Sequence, residues 1–266
     1  MQMLNMPAPF SEDLNIALEA AQHAGNVVIN ALQTDIIAET KGDKGLVTEF
    51  DQRAEQAIIT TLQTKSAYAF LGEETGRTET ESQKFWVVDP IDGTTNFSRG
   101  LPLFAISIAL MQETDILLGV IFNPYTKEYF YAEKGKGAYR NGSPIQVSTN
   151  HQPVKSIVLL DHGYAEADLE RMTALYRRLG LKYNLRLLGT TALELTLVAN
   201  GTVDAFISSG DELWDFAAGV LLVQEAGGSF TDWRGRPWDG QTPFVFASNG
   251  RLHEALLPHI RDLQTG

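Results

Sequence analysis

The sequence predicts an α+β first half joined to an α/β second half, and three patterns carry the prediction. A helical apolar period opens the chain, a series of short apolar runs separated by a few turn residues follows, and strands and helices alternate after about residue 150. Ser11 precedes Leu14, Ala17, Leu18, Ala21, Gly25, Val28 and Leu32, whose spacing of about 3.6 predicts a capped amphipathic helix with Glu12 and Asp13 in its first turn. The KGDKG segment at 41–45 has the glycines and charges of an exposed loop. Ala54, Ile58 and Leu62 then mark a second helix, and Thr48 with Asp51 has the spacing of a capping box.

Strands are expected at 68–71, 85–88, 103–111, 116–122 and 128–131, and their short connections imply a mainly antiparallel meander. Asn141-Gly142 signals a tight turn. Beyond it, strands at 156–160, 186–188, 203–207 and 244–247 alternate with helices at 165–179, 191–199, 216–225 and 252–260. Gly227-Gly228 closes the third of these helices. With no internal repeat, low-complexity tract or long linker, the expected division is an N-terminal subdomain at 1–148 and a C-terminal one at 149–266 that share a tight interface.

Composition removes several classes of function. The 21 Lys and Arg against 33 Asp and Glu leave a net charge of −12, which disfavours non-specific nucleic-acid binding, because that depends on cations neutralising phosphates. The absence of cysteine excludes a disulfide framework, a thiolate metal site and a Cys nucleophile. The apolar run at 103–111 is far shorter than the roughly 20 residues that a bilayer requires, and the N-terminus lacks the basic and apolar regions of a signal peptide, so a cytoplasmic, non-membrane protein is expected. The five histidines show no ligand spacing, Arg140 stands where a dinucleotide fingerprint needs its last glycine, and GxxxxGK[ST] and GxSxG are absent. Trp86, Trp214, Trp233 and Trp238, without a basic field, read as packing residues.

What remains is acidic. Glu73-Glu74, the Asp89-to-Thr95 segment DPIDGTT, and Asp215 after Trp214 each sit where a strand or loop ends. Strand ends are rigid points from which side chains can converge, and converging carboxylates repel unless cations fill the space. Oxygen-only ligation selects Mg²⁺ or Mn²⁺. Pro90 turns the chain so that Asp89 and Asp92 can share one pocket, and Gly93 with Thr94 would present free backbone N–H groups to an anion if a helix starts there. Carboxylates for metals beside bare amides for phosphate suit phosphoryl transfer.

The string WVVDPIDGTTNF, with GEE upstream and WDFAAGVLLVQEAGG downstream, resembles the inositol monophosphatase family over most of the chain, from LVTEFD ending at Asp51 to Gly228. The resemblance implies a layered αβαβα sandwich of the inositol monophosphatase and fructose-1,6-bisphosphatase type. It also implies a homodimer and a Mg²⁺-dependent, lithium-sensitive phosphatase. By resemblance, Glu73, Asp89 and the Ile91 carbonyl hold one metal; Asp89, Asp92 and Asp215 hold a second; and Glu73 reaches a third. One ion acidifies a water that attacks phosphorus in line, and another neutralises the leaving alkoxide. Glu73, Thr94 and Asp51 position and deprotonate that water, with Asp51 also serving its cap, while Glu74 ranks below Glu73 as a ligand. Asp92, Gly93, Thr94, Gly189, Thr191 and Asp215 are the implied substrate contacts, and Lys41 is an electrostatic helper.

The expected substrate is inositol monophosphate or a similar small polyol phosphate. Seven residues before Asp215, where family members carry a sugar-binding glutamate, this chain has Ser208, and Asp211 or Glu212 could substitute from a neighbouring turn. The same chemistry on fructose 1,6-bisphosphate, histidinol phosphate or a 3′-phosphonucleotide is therefore an alternative. A binding role toward the transcription machinery, as some relatives of the family have, is another.

Overall fold

A computed structural model describes residues 10–34, 36–40, 46–78 and 80–264. The loop expected at 41–45, with Lys41, lies outside the described residues. The Ser11 hydroxyl accepts from the Leu14 backbone N–H and opens α1 (Glu12–Ala31). A short ribbon of β1 (Ala38–Thr40) and β2 (Leu46–Thr48) leads into α2 (Glu49–Lys65), which starts on the Thr48–Asp51 capping box. Next come β3 (Ala69–Gly72), β4 (Gly76–Arg77), β5 (Lys84–Asp92), a single turn of helix α3 (Thr94–Ser98), β6 (Ala105–Gln112), β7 (Asp115–Asn123), β8 (Glu128–Glu133), β9 (Ala138–Arg140) and β10 (Ser143–Pro144). They form an eight-stranded sheet in the order β10-β9-β8-β7-β6-β5-β3-β4. The meander is antiparallel as its short connections require, except that β3 runs parallel to β5.

The second half contributes β11 (Ile157–His162), α4 (Glu166–Leu179), β12 (Asn184–Arg186), α5 (Thr191–Ala199), β13 (Ala205–Ser209), α6 (Leu213–Glu225), β14 (Ser229–Thr231), β15 (Phe244–Ser248) and α7 (His253–Leu256). Its five-stranded sheet, ordered β12-β11-β13-β15-β14, is parallel among β12, β11 and β13 and antiparallel at β15 and β14.

The period of two along each strand builds the layers. In β5, Trp86 and Val88 face the core under α1 and α2, whereas Phe85 and Val87 face a core filled by α5 and α6. In β13, Phe206 faces that same middle core, and Ala205 and Ile207 face a third core packed against α4 and α7. Three cores between two sheets and three helix layers give an αβαβα sandwich. The middle core draws side chains from both halves of the chain. Gly119 in β7 lets α6 approach closely, since a Cβ there would stand 2.8 Å from backbone atoms of Ala218.

Several boundaries differ from expectation for local reasons. The strand expected at 186–188 ends at Arg186, because the Leu188 N–H donates to the Glu194 carboxylate and the Leu188 carbonyl accepts from Asn96. The strand expected from residue 103 begins at Ala105, the Leu103 carbonyl accepting from the same Asn96 amide. The last helix, expected at 252–260, is α7 followed by a 3₁₀ turn at Leu257–His259, in which Pro258 supplies no donor.

Candidate active site

Asp89 and Asp92 are three residues apart in β5, and in a regular strand they would face opposite sides of the sheet. The register is broken between them: Asp89 pairs with Ser107 and Asp92 with Ala105, so three steps on β5 match two on β6. Ser107 and Ala105 share one face, and the bulge at Pro90-Ile91 therefore turns both carboxylates to that face. A side-chain hydrogen bond closes the bulge, the Ile91 N–H donating to Asp89 Oδ1 at 2.9 Å. Gly93 follows in the left-handed region at φ 86°, with Thr94 opening α3.

Asp215 reaches the same place from α6. Its carboxylate accepts the Glu212 N–H at 2.7 Å, and the Ser107 hydroxyl donates to the Trp214 carbonyl at 3.2 Å, tying the start of α6 to β6. Asp89, Asp92 and Asp215 each place a carboxylate oxygen within 4.8 Å of the others. Glu73 follows β3, held by its own N–H donating to the Val88 carbonyl, and lines the same cavity of about 720 Å³. Ile91, Gly93, Thr94, Gly189 and Thr191 line it too. Asp51 stands behind it, with Oδ2 accepting from both the backbone and the hydroxyl of Thr48, and Oδ1 accepting from the Thr94 hydroxyl at 2.9 Å. That hydroxyl also lies 2.9 Å from the Ile91 carbonyl, so one proton serves two acceptors.

These acids sit close together in a place that disfavours charge. Burial, and then the neighbouring carboxylates, hold Asp89 and Asp215 well above the usual carboxylate range. Burial pushes Asp92 up to about 7, against hydrogen bonds from Thr190 and from the Ala192 N–H. Asp51 is raised to about 6 by burial, although Thr48 and Thr94 donate to it. No Lys or Arg lines the cavity among the described residues.

The model of the inositol monophosphatase family matches residues 10–265. The chain belongs to this family. Among inositol monophosphatase relatives, the tomato protein named inositol monophosphatase 2 is 38% identical, over 94% of this chain and 98% of its own. The protein named Nus factor SuhB of Escherichia coli K12 is 37% identical, over 94% of this chain and 96% of its own. Of solved structures, the extragenic suppressor protein suhB of Bartonella henselae superposes with a TM-score of 0.90 at 32% identity, covering 96% of this chain and all of that one. The Thermotoga maritima IMPase follows at 0.86 and 30%, covering 95% and 98%. The sandwich is thus that of the inositol monophosphatase and fructose-1,6-bisphosphatase fold.

Sequence reasoning missed residues whose partners are distant in the chain. The buried Glu55 accepts the Glu74 N–H at 3.0 Å and so braces the turn that carries Glu73. Asn96 donates to the carbonyls of Leu103, Leu188 and Gly189, pinning the 188–189 turn beside the bulge. Thr190, which the sequence did not single out, donates to Asp92. The one signal for Asn96 was its place in DPIDGTTNF; Glu55 sits on a helix whose other buried positions are mostly apolar and left no trace.

The raised acids make a statement about stability. Without metal, folded Asp51 and Asp92 keep protons that the unfolded chain, with carboxyl pKa values near 3.8, has already released. Their contribution is therefore full below about pH 4 and lost as pH rises through 6 to 7. In EDTA the melting temperature is expected to fall between pH 5 and 8, and Mg²⁺ to raise it more at pH 8 than at pH 5. A metal-induced gain independent of pH in a thermal-shift series would contradict this.

Proposed function

We propose that the chain is a Mg²⁺-dependent phosphomonoesterase acting on inositol monophosphate or a similarly small polyol phosphate, with Mn²⁺ able to replace Mg²⁺. The observation that carries the reading is the convergence of Asp89, Asp92 and Asp215 beside the Asp51–Thr94 pair in a single cavity. The donor set fits hard divalent ions: every ligating atom is oxygen, and the three carboxylates already bring oxygens within 4.8 Å of one another, a span that an ion with bonds of about 2.1 Å can bridge. Glu73, Asp89 and the Ile91 carbonyl would hold one ion, and Asp89, Asp92 and Asp215 another. When bound, such ions neutralise the ester's charge and acidify water.

The chain's own residues do the rest. Asp51 fixes the Thr94 hydroxyl, and this pair with Glu73 holds the attacking water and takes its proton. The N–H groups of Gly93 and Thr94 donate to the phosphate, and the left-handed turn at Gly93 keeps that approach open; a Cβ there would meet the Leu103 carbonyl at 2.8 Å. Asp92, held by Thr190 and Ala192, and Thr191 border the leaving alcohol. The homodimer implied by the resemblance and the cytoplasmic location expected from the sequence belong to the same reading; no helix among the described residues is long and apolar enough to cross a membrane.

Phosphate release from inositol 1-phosphate should require Mg²⁺, stop in EDTA and resume when Mg²⁺ is restored. Asp92→Asn should lower kcat by about 100-fold or more while the circular dichroism spectrum stays unchanged. Activity that survives chelation would defeat the reading.

A second reading is favoured by the name Nus factor carried by the 37% identical relative. It adds a binding role toward the transcription machinery. Capture of RNA polymerase components from lysate by Asp92→Asn protein as efficiently as by wild type supports it, and capture by neither excludes it.

A further inference from the structure

Helix α2 meets the proposed metal site twice. Asp51, in its first turn, holds the Thr94 hydroxyl, and Glu55, one turn further along the same face, points its carboxyl at the turn between β3 and β4. Glu55 is fully buried. Its Oε1 accepts the Glu74 N–H at 3.0 Å, and Thr75 adds its own N–H and hydroxyl to the same carboxyl. The Glu73 N–H is taken by the Val88 carbonyl at 3.2 Å, so every N–H of the 73–75 turn has an acceptor, and Glu55 serves the last two. A Cβ on Gly72 would stand 2.1 Å from that Oε1; the glycine that ends β3 is what lets the carboxyl reach the turn. For packing alone an apolar residue would suit this position beside Ala54, Ile58 and Leu62 better, because a buried carboxyl is costly to desolvate. What the carboxyl supplies is a fixed turn.

The other acids of the site are braced from elsewhere. Asp92 is held by the Thr190 hydroxyl and the Ala192 N–H, Asp215 by the Glu212 N–H, and Asp89 by the Ile91 N–H. None of these bonds involves α2. In the proposed pair of ions Glu73 belongs to one only, so the 73–75 turn is the part of the ligand set that Glu55 controls.

We propose that Glu55 is a positioning residue for the ion held by Glu73: by fixing the turn it sets the affinity for that ion, and it leaves the ion held by Asp89, Asp92 and Asp215 unaffected. The proposal rests on the two-ion phosphatase reading and adds to it a residue that touches neither metal nor substrate. Partners one bond removed from a metal ligand are worth about 10–100-fold in metal affinity.

Calorimetric titration of the full chain with Mn²⁺ tests this without turnover. Wild type should bind two ions, and Glu73→Gln should weaken one of them. Glu55→Ala should raise the Kd of that same ion at least about tenfold and leave the other within about twofold. Glu55→Gln keeps an acceptor for the Glu74 N–H and the shape of the side chain; it should shift the same Kd less, by about threefold, and guards against an alanine variant that fails to fold. Adding Glu55→Ala to Glu73→Gln should cost little more, since the brace acts through Glu73. Ile58→Ala empties the core beside the same helix and should lower the melting temperature without moving either Kd, which separates positioning from loss of stability. In phosphate release, the Mg²⁺ concentration giving half the maximal rate should rise by the same factor in Glu55→Ala, with kcat restored at saturating Mg²⁺. Both ions weakened alike, neither weakened, or a full further loss in the double variant overturns the assignment and leaves the phosphatase reading standing. If wild type binds Mn²⁺ but hydrolyses no ester, the phosphatase reading fails and the titration alone decides the role of Glu55. A wild type that binds no Mn²⁺ rejects both.

Discussion

Mutual repulsion among buried carboxylates is the constraint on which the rest of the molecule depends. Asp89, Asp92 and Asp215 bring carboxylate oxygens within 4.8 Å of one another on the wall of one cavity, the first two buried and the third half-buried. A fold relieving this repulsion by relaxation would lose the site, so the surroundings have to be stiff. The bulge at Pro90-Ile91 is held by an internal hydrogen bond to Asp89, Asp92 is gripped by Thr190 and the Ala192 N–H, and Asp215 is fixed by its helix start. The carboxylates are thus held in a rigid frame that a bound cation would meet already assembled.

The same frame joins the two halves of the chain. Asn96 spans from α3 to the carbonyls of the 188–189 turn, Ser107 in β6 bonds the backbone at Trp214, and α6 packs against Gly119 of the first sheet. The carboxylates supplied by β5 and α6 consequently meet across one shared core, and their spacing is set by packing between a sheet and a helix rather than by a loop.

Much of this was legible in the sequence where local rules decide. The helices α1 and α2 follow from period and capping alone, and the strands of the meander and the helix Thr191–Ala199 stand where apolar runs between turn residues led one to expect them. The acidic segments announced themselves by placement at strand ends, and Pro90 and Gly93 by their backbone demands. What stayed hidden depends on distant partners. The parallel docking of β3 on β5, the capture of Leu188 by Glu194 and Asn96, and the bracing of the Glu73 turn by Glu55 each join residues far apart in the chain, and no local pattern records them. Ser208 was visible as a departure from the family, but its pairing with Asp161 across two strands required the register.

The central claim is that divalent ions make this convergence of acids tolerable. Anomalous diffraction from crystals soaked in Mn²⁺ tests it most directly. The account predicts a peak enclosed by Asp89, Asp92 and Asp215, with Glu73 and the Ile91 carbonyl beside a second. A difference map with no anomalous signal among these side chains at saturating Mn²⁺ would contradict it.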